Sequence, residues 1–326
     1  MTYPSMALAV ALASFAAVNL AVSPMALALW RAARRDPDGT QAADRAAGLL
    51  LVRGLPVMVA MPLVAGLVVP AFHLFEPRQS DEVVGASLMA LAAVGAGLVA
   101  AGLVRGWRAL RTTRRLVRRW LRNARPVDLG GRRIPTLCIE SDFPVVAVVG
   151  LIRPRLLVAR QVLDACTPQQ MRAVVAHETA HVRAWDNLKR LAIRSCPDVL
   201  ALAQAGRQME RDWYLAAEEA ADDRAATDTS PAALDLAEAL LTVARLAPAR
   251  PGDVFPVSAL FEGEGVERRV RRLLDGRRPR RRVPLWLAAA RALGLVAGAA
   301  AFTGLIDVRL LAGVQALLEL AVSTLP

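Results

Sequence analysis

His177-Glu178-Thr179-Ala180-His181 sets two imidazoles four residues apart with a carboxylate between them. On a helix, residues four apart share a face, offset by about 40°. Both rings can therefore reach one metal ion, and zinc is the usual occupant of such a pair. Glu178, beside the first ligand, would reach water at the metal rather than the metal itself, which is the position of a general base. Two surface histidines on an amphipathic helix would be the plainer explanation. It is weakened by a composition in which two of only three histidines fall in this pentad.

A catalytic zinc site takes three protein ligands and keeps one position open for water. The remaining histidine, His73, falls on what the loop charges below make the far side of a membrane. The third ligand must then be an acid or a cysteine. Glu218-Glu219-Ala220-Ala221-Asp222 supplies acids. Glu218 and Asp222 share a helix face, so Glu218 can ligate while Asp222 accepts a hydrogen bond from a ligand imidazole and fixes its tautomer. Glu219 points about 100° away and is the weaker choice. Without the histidine pair this cluster would read as a solvated helix face. A second donor to a developing oxyanion is normally expected. Tyr214, Arg211 and Arg224 are close enough in sequence to consider, although packing or exposure accounts for each.

Positioning these groups requires helices, and the flanking sequence provides them. Thr167-Pro168-Gln169-Gln170 is a helix start, with a capping threonine, a first-turn proline and a glutamine to close a capping box. That helix is predicted to run to about Asp186. Further helices are predicted over 204–226, from Ser230 to about Ala247, and over 265–275. Before them come β-like runs at 134–139, 145–149 and 156–159, with turns at Gly130-Gly131, 142–144 and 153–155.

The rest of the chain is apolar. It is 55% hydrophobic yet carries a net charge of +12, with Lys189 its only lysine. Apolar blocks beside basic blocks indicate a membrane protein rather than a soluble one. The arginines crowd the ends of apolar stretches, which argues against direct nucleic-acid binding. Segments 6–30, 49–72, 84–107 and 284–305 are each long enough to span a bilayer. Arginines after the first segment and after the third, and the run Arg277–Arg282 before the fourth, mark the inner side. The acidic loop around Glu76, Asp81 and Glu82 marks the outer side. The four loops agree on both termini outside and the middle section in the cytoplasm. The basic run after the third segment reads as a helix extending the span along lipid headgroups. Arg53 and Arg291 lie near inner ends, where snorkelling accounts for them. Residues 306–326 read as an amphipathic helix on the outer surface rather than a fifth span. The first segment is too long, and its start too uncharged, for a cleaved signal peptide. Three cysteines without a CxxC pair make a disulfide framework unlikely.

His177–Leu188, read as HETAHVRAWDNL, resembles the HExxHxxxxDxL signature of the BlaR/MecR-type antirepressor membrane metallopeptidases, and EEAAD at Glu218–Asp222 resembles their ExxxD element. Val149–Pro154 and Glu267–Leu274 resemble flanking segments of that family, and three spans before the peptidase with one after also fit. The resemblance implies gluzincin chemistry, with His177, His181 and Glu218 on zinc, Glu178 as base and Asp222 behind. Asp186 matches a family position, while the plainer reading is an exposed residue at a helix C-terminus. The antirepressor sensors carry a large extracellular penicillin-binding domain after the last span. Only about 20 residues follow here, too few for such a domain, so the activating signal would come from a separate sensor or the membrane, or the enzyme would be always on.

The expectation is a mainly α membrane protein, with about four transmembrane helices and a cytoplasmic α+β zincin-like metalloprotease domain. Its parts would be a three-span region at 1–107, a basic juxtamembrane helix at 108–125, the peptidase at 126–283, a fourth span at 284–305 and a short tail at 306–326. The function would be zinc-dependent cleavage of a cytosolic or membrane protein at a bacterial-type inner membrane, with a transcriptional repressor as candidate substrate. The alternatives are a constitutive quality-control protease of the heat-shock membrane or prenyl-protease kind and a non-catalytic signalling scaffold. Quality-control enzymes tend to have a membrane segment soon after HExxH, whereas 187–206 is too charged to be one.

Overall fold

The computed structural model describes residues 2–35, 40–77, 85–129, 134–226, 230–246, 263–276 and 284–324. The turn at Gly130-Gly131, the run Arg277–Arg282 and the charges Arg78, Asp81 and Glu82 lie outside the described residues.

Four helical stretches are long and apolar enough to cross a membrane. α1 covers Tyr3–Arg35 and α2 covers Ala42–Leu63. A π-turn at Val64–Val68 leads from α2 into α3 (Val69–Phe75) without a break in the span. Pro70 offers no N–H to the carbonyl of Gly66, and its ring crowds that carbonyl, which accounts for the widened turn. α4 is a single 36-residue helix, Ala86–Leu121, so the basic run continues the third apolar segment as predicted. After the peptidase section come α11 (Leu285–Ile306) and α12 (Val308–Thr324), which packs on α3 and donates from Gln315 Nε2 to Glu76 Oε2. Large apolar side chains stay bare along these helices, Leu103 at 70% and Leu295 at 74% exposed, as a lipid-facing surface requires.

Between α4 and α11 lie four strands, β1 (Arg125–Pro126), β2 (Thr136–Ile139), β3 (Val146–Val149) and β4 (Arg155–Ala159). They are followed by α5 (Arg160–Ala165), α6 (Pro168–Arg183), α7 (Asp186–Ser195), α8 (Gln204–Ala225), α9 (Ser230–Leu246) and α10 (Gly263–Asp275). The sheet order is β1-β2-β4-β3, with β2 and β4 parallel and the other pairs antiparallel. β3 is therefore an edge strand. Gly150, at φ +101, turns the chain from β3 toward β4, and a Cβ there would stand 2.6 Å from the Arg153 carbonyl oxygen. β4 is buried along 156–159 and anchors a core shared with α6, α9 and Trp120 of α4.

A second apolar core joins α8 to the membrane helices α1, α2 and α11, through Trp213, Met209, Leu55 and Trp286 among others. The segment after α7 drives into the same bundle. Asn19, buried in α1, donates from Nδ2 to the Pro197 carbonyl at 3.2 Å. A Cβ at Gly102 of α4 would meet the Ser195 carbonyl oxygen at 2.7 Å, so this residue must be small for the contact to exist. Arg53 is fully buried and pairs with Asp198 at 2.6 Å and Glu210 at 3.4 Å. The snorkelling expected of Arg53 is thus corrected: an internal acid supplied from 145 residues away meets the guanidinium. Arg291 is exposed, in keeping with its simpler reading.

Candidate metal centre

α6 opens with the predicted capping box, Thr167 Oγ1 accepting from Gln170 N–H and Gln170 Oε1 accepting from Thr167 N–H. The helix ends at Arg183, three residues before the predicted end. Trp185 then takes a left-handed conformation at φ 58, uncommon outside glycine, and α7 starts at once. This bend corrects the reading of Asp186 as an exposed C-terminal residue. It is buried, at the start of α7, with Oδ2 2.7 Å from His181 Nδ1.

His177 and His181 meet edge to face with their Nε2 atoms 3.1 Å apart. Glu218 of α8 stands opposite, one carboxylate oxygen 3.4 Å from each Nε2. The outer nitrogens are held from behind, His181 Nδ1 by Asp186 and His177 Nδ1 by Asp222 at 2.9 Å. The second contact is short, but its ring N–H is poorly aligned for a hydrogen bond, so it orients the ring chiefly through charge. Both rings thereby turn a free Nε2 inward. Two imidazole nitrogens and one carboxylate, with ligand atoms all within 4.8 Å of one another, match the donor set of a zinc site and leave a fourth position open. These residues fit a bound zinc ion.

The electrostatics also call for a cation. Glu178, Asp186, Glu218 and Asp222 are all buried around two imidazoles. Burial opposes charging of His181, yet Glu218 and Asp186 outweigh it and raise its pKa to about 10. Glu218 is held well below the ordinary carboxylate range, as His181 and Arg269 overcome its burial, and Arg269 likewise brings Asp222 to about 2. Burial lifts the Glu178 carboxyl, with both imidazoles opposing. A divalent ion held by these ligands would offset the buried carboxylates alongside Arg269.

The remaining predicted residues are placed as follows. Glu178 lies beside the pair, and its Oε2 accepts the Val148 N–H of β3 at 3.1 Å. Glu219 turns toward Arg45 of α2 and Arg268 of α10, which settles its position away from the histidines. Tyr214 sits one turn before Glu218, its ring under Arg190 at 4.5 Å and its hydroxyl in the field of Glu218 and Glu178. Arg211 and Arg224 are exposed. His73 stays out of the site, bonded through Nδ1 to the Tyr3 hydroxyl at 3.1 Å.

Two contributions escaped the sequence. Arg269 grips Asp222 through Nε and Nη2, both at 2.7 Å, and lies 3.1 Å from Glu218 through Nη1. Its signal was present: an arginine in register with Val266 and Leu273 on an amphipathic helix is a charge forced inward, which requires an acid partner. Asn187, whose Nδ2 donates to the carbonyls of Val148 at 3.0 Å and Gly150 at 3.2 Å, ties the edge of β3 to α7.

This geometry could hold a metal ion and is set against a bundle of apolar helices. Residues 111–248 match the model of peptidase family M48, a family of zinc metallopeptidases, and both ligand motifs lie within the match. The protein is a metalloendopeptidase with membrane-like helices. No curated protein and no solved structure matches the chain.

Proposed function

We propose that the protein is a membrane-embedded zinc endopeptidase that cuts a protein segment at the cytoplasmic face of a bacterial-type inner membrane, in regulated signalling, with a repressor as candidate substrate. The observation that carries the peptidase reading is the inward convergence of His177 Nε2, His181 Nε2 and Glu218, with Glu178 alongside. Bound zinc would supply a more acidic water and polarise the scissile carbonyl. Glu178 takes a proton from the attacking water and passes it to the leaving amine. Val148 N–H holds that carboxylate in place. Tyr214, one turn before Glu218, is the candidate donor to the developing oxyanion, since Arg211 and Arg224 are exposed.

Sidedness draws support from where the basic helix ends meet the peptidase. Trp30 Nε1 donates to Asp212, Arg45 pairs with Glu219, and Arg105 donates to the carbonyls of Arg194 and Cys196. Positive helix ends mark the cytoplasmic side. The regulated reading draws support from the segment after HExxH. Residues 187–206 form α7 and a short 3-10 turn packed on α1 and α4, with no helix long and apolar enough to cross a membrane. The signal would come from a separate sensor protein or from the bilayer.

The test compares new protein N-termini in cells carrying wild type or Glu178→Gln. A short list of cuts specific to wild type, led by a DNA-binding repressor, is expected. Many misfolded membrane proteins in that list would transfer the function to quality control. Identical termini, with zinc bound in both, would leave a scaffold.

A further inference from the structure

We propose that the groove beside the catalytic helix selects extended protein segments that carry acidic side chains. The inference rests on the peptidase reading and adds the chemistry of its substrate. The groove, of about 430 Å3, runs between the basic half of α4, the edge of β3 and α7. Val148 lies in its wall and also holds Glu178, so the groove borders the strand that positions the catalytic carboxylate.

The register of β3 dictates an extended occupant. Ala159 N–H donates to the Val145 carbonyl, and Ala147 and Val149 follow as the residues facing β4. The backbone groups of Val146 and Val148 then point outward from the sheet, as alternate residues of an edge strand do. The Val148 N–H stays with Glu178, so an incoming strand pairs with the Val148 carbonyl by displacing the Asn187 amide that now caps it.

The charge of the groove dictates the side chains. Arg114 and Arg118 line it from α4, and Arg190 and Arg194 from α7, while no Asp or Glu does. Among the described residues, Arg114, Arg118 and Arg190 have no ion-pair partner. Arg190 is further set apart: it lies over the Tyr214 ring, and its Nε is buried without a hydrogen-bond acceptor. Guanidinium groups gathered around one partly apolar groove with no acid in its lining favour a carboxylate, which takes paired hydrogen bonds from them. A lysine-rich segment would meet like charge. Alternation along an extended chain allows acids to face the arginines while apolar residues face the rest of the wall.

The test uses the full chain in zwitterionic detergent and two pools of short synthetic peptides. Alternate positions are Glu in one pool and Gln in the other. Binding is read by fluorescence anisotropy and cleavage by mass spectrometry of the same mixtures. The Glu pool is expected to bind about tenfold more tightly at low salt, and Arg114→Gln/Arg118→Gln/Arg190→Gln should reduce the preference to about twofold or less, with zinc content unchanged. If the triple variant does not fold, Arg114→Gln/Arg118→Gln, confined to exposed positions of α4, should still halve the preference or more. Equal binding of both pools by wild type overturns the proposal, as does a preference untouched by these substitutions. A preference lost in nanodiscs containing anionic lipid also overturns it, since headgroups would then own the arginines. Charge-selective binding without cleavage sinks the peptidase reading alone; cleavage without charge preference sinks this one alone.

Discussion

Removing the acid behind His181 should weaken zinc binding by an amount the geometry sets. Asp186 Oδ2 lies 2.7 Å from His181 Nδ1, in a buried setting where the bond is charge-assisted. Such a bond contributes about 1.5–3 kcal/mol, and about 1.4 kcal/mol corresponds to tenfold in affinity. It acts on the metal by fixing the proton on Nδ1 and making Nε2 more basic. Asp186→Ala removes the bond and should weaken zinc binding about ten- to a hundredfold, the usual range for such supporting acids. Asp186→Asn can still accept from Nδ1 through its amide oxygen, so its loss should lie near the lower bound, about tenfold. Lys189, 3.5 Å from the other oxygen and partly exposed, offsets little. Zinc affinity is read by competition with a chelator of known strength, with circular dichroism as the control for folding. Asp186→Ala that folds normally and binds zinc as tightly as wild type would refute the reasoning.

Other outcomes follow from the same coordinates. Glu178→Gln should keep stoichiometric zinc and lose cleavage by at least about a hundredfold; loss of metal would show that Glu178 is itself a ligand. Arg53→Met leaves Asp198 buried and unpaired, and should cost about 3–5 kcal/mol, seen as a lower thermal midpoint in detergent. Arg53→Met/Asp198→Asn, which keeps the Asp198 cap on Ala201 N–H, should recover much of that loss; no recovery would contradict the pairing. Gly102→Ala pushes a methyl against the Ser195 carbonyl and should destabilise by about 1–3 kcal/mol, again read as a thermal midpoint.

The ligand motifs were legible because they are local. Four-residue spacing fixes a helix face, so His177 with His181, and Glu218 with Asp222, could be paired before any fold was known. Asp186 could not, because its role depends on a left-handed Trp185, and nothing in an apolar-polar pattern forecasts a bulky residue there. Arg269 belongs to another category. Its helix was read as basic, whereas its inward register was the informative feature. Arg53 misled because snorkelling assumes lipid around the helix. The acid that meets it lies on a segment whose sequence reads as an ordinary peptidase loop, and only tertiary packing brings it among the spans. β2, β3 and β4 were found within one or two residues, since β-branched runs and their turns are local signals too, whereas the two-residue β1, Arg125–Pro126, carries no such run and was missed.

The Arg53–Asp198 pair also ties two distant parts of the chain to one folding event. Asp198 follows Arg53 by 145 residues, so a chain made only as far as the first three apolar helices lacks the acid that meets the guanidinium. Until that stretch is translated, a guanidinium waits among apolar helices, where charge is costly. The first three spans are therefore an unfinished bundle, open at the place where residues 195–202 will insert. The peptidase section and the apolar helices therefore complete one another, and a chain truncated before Asp198 would be left with a helix carrying an unmatched charge.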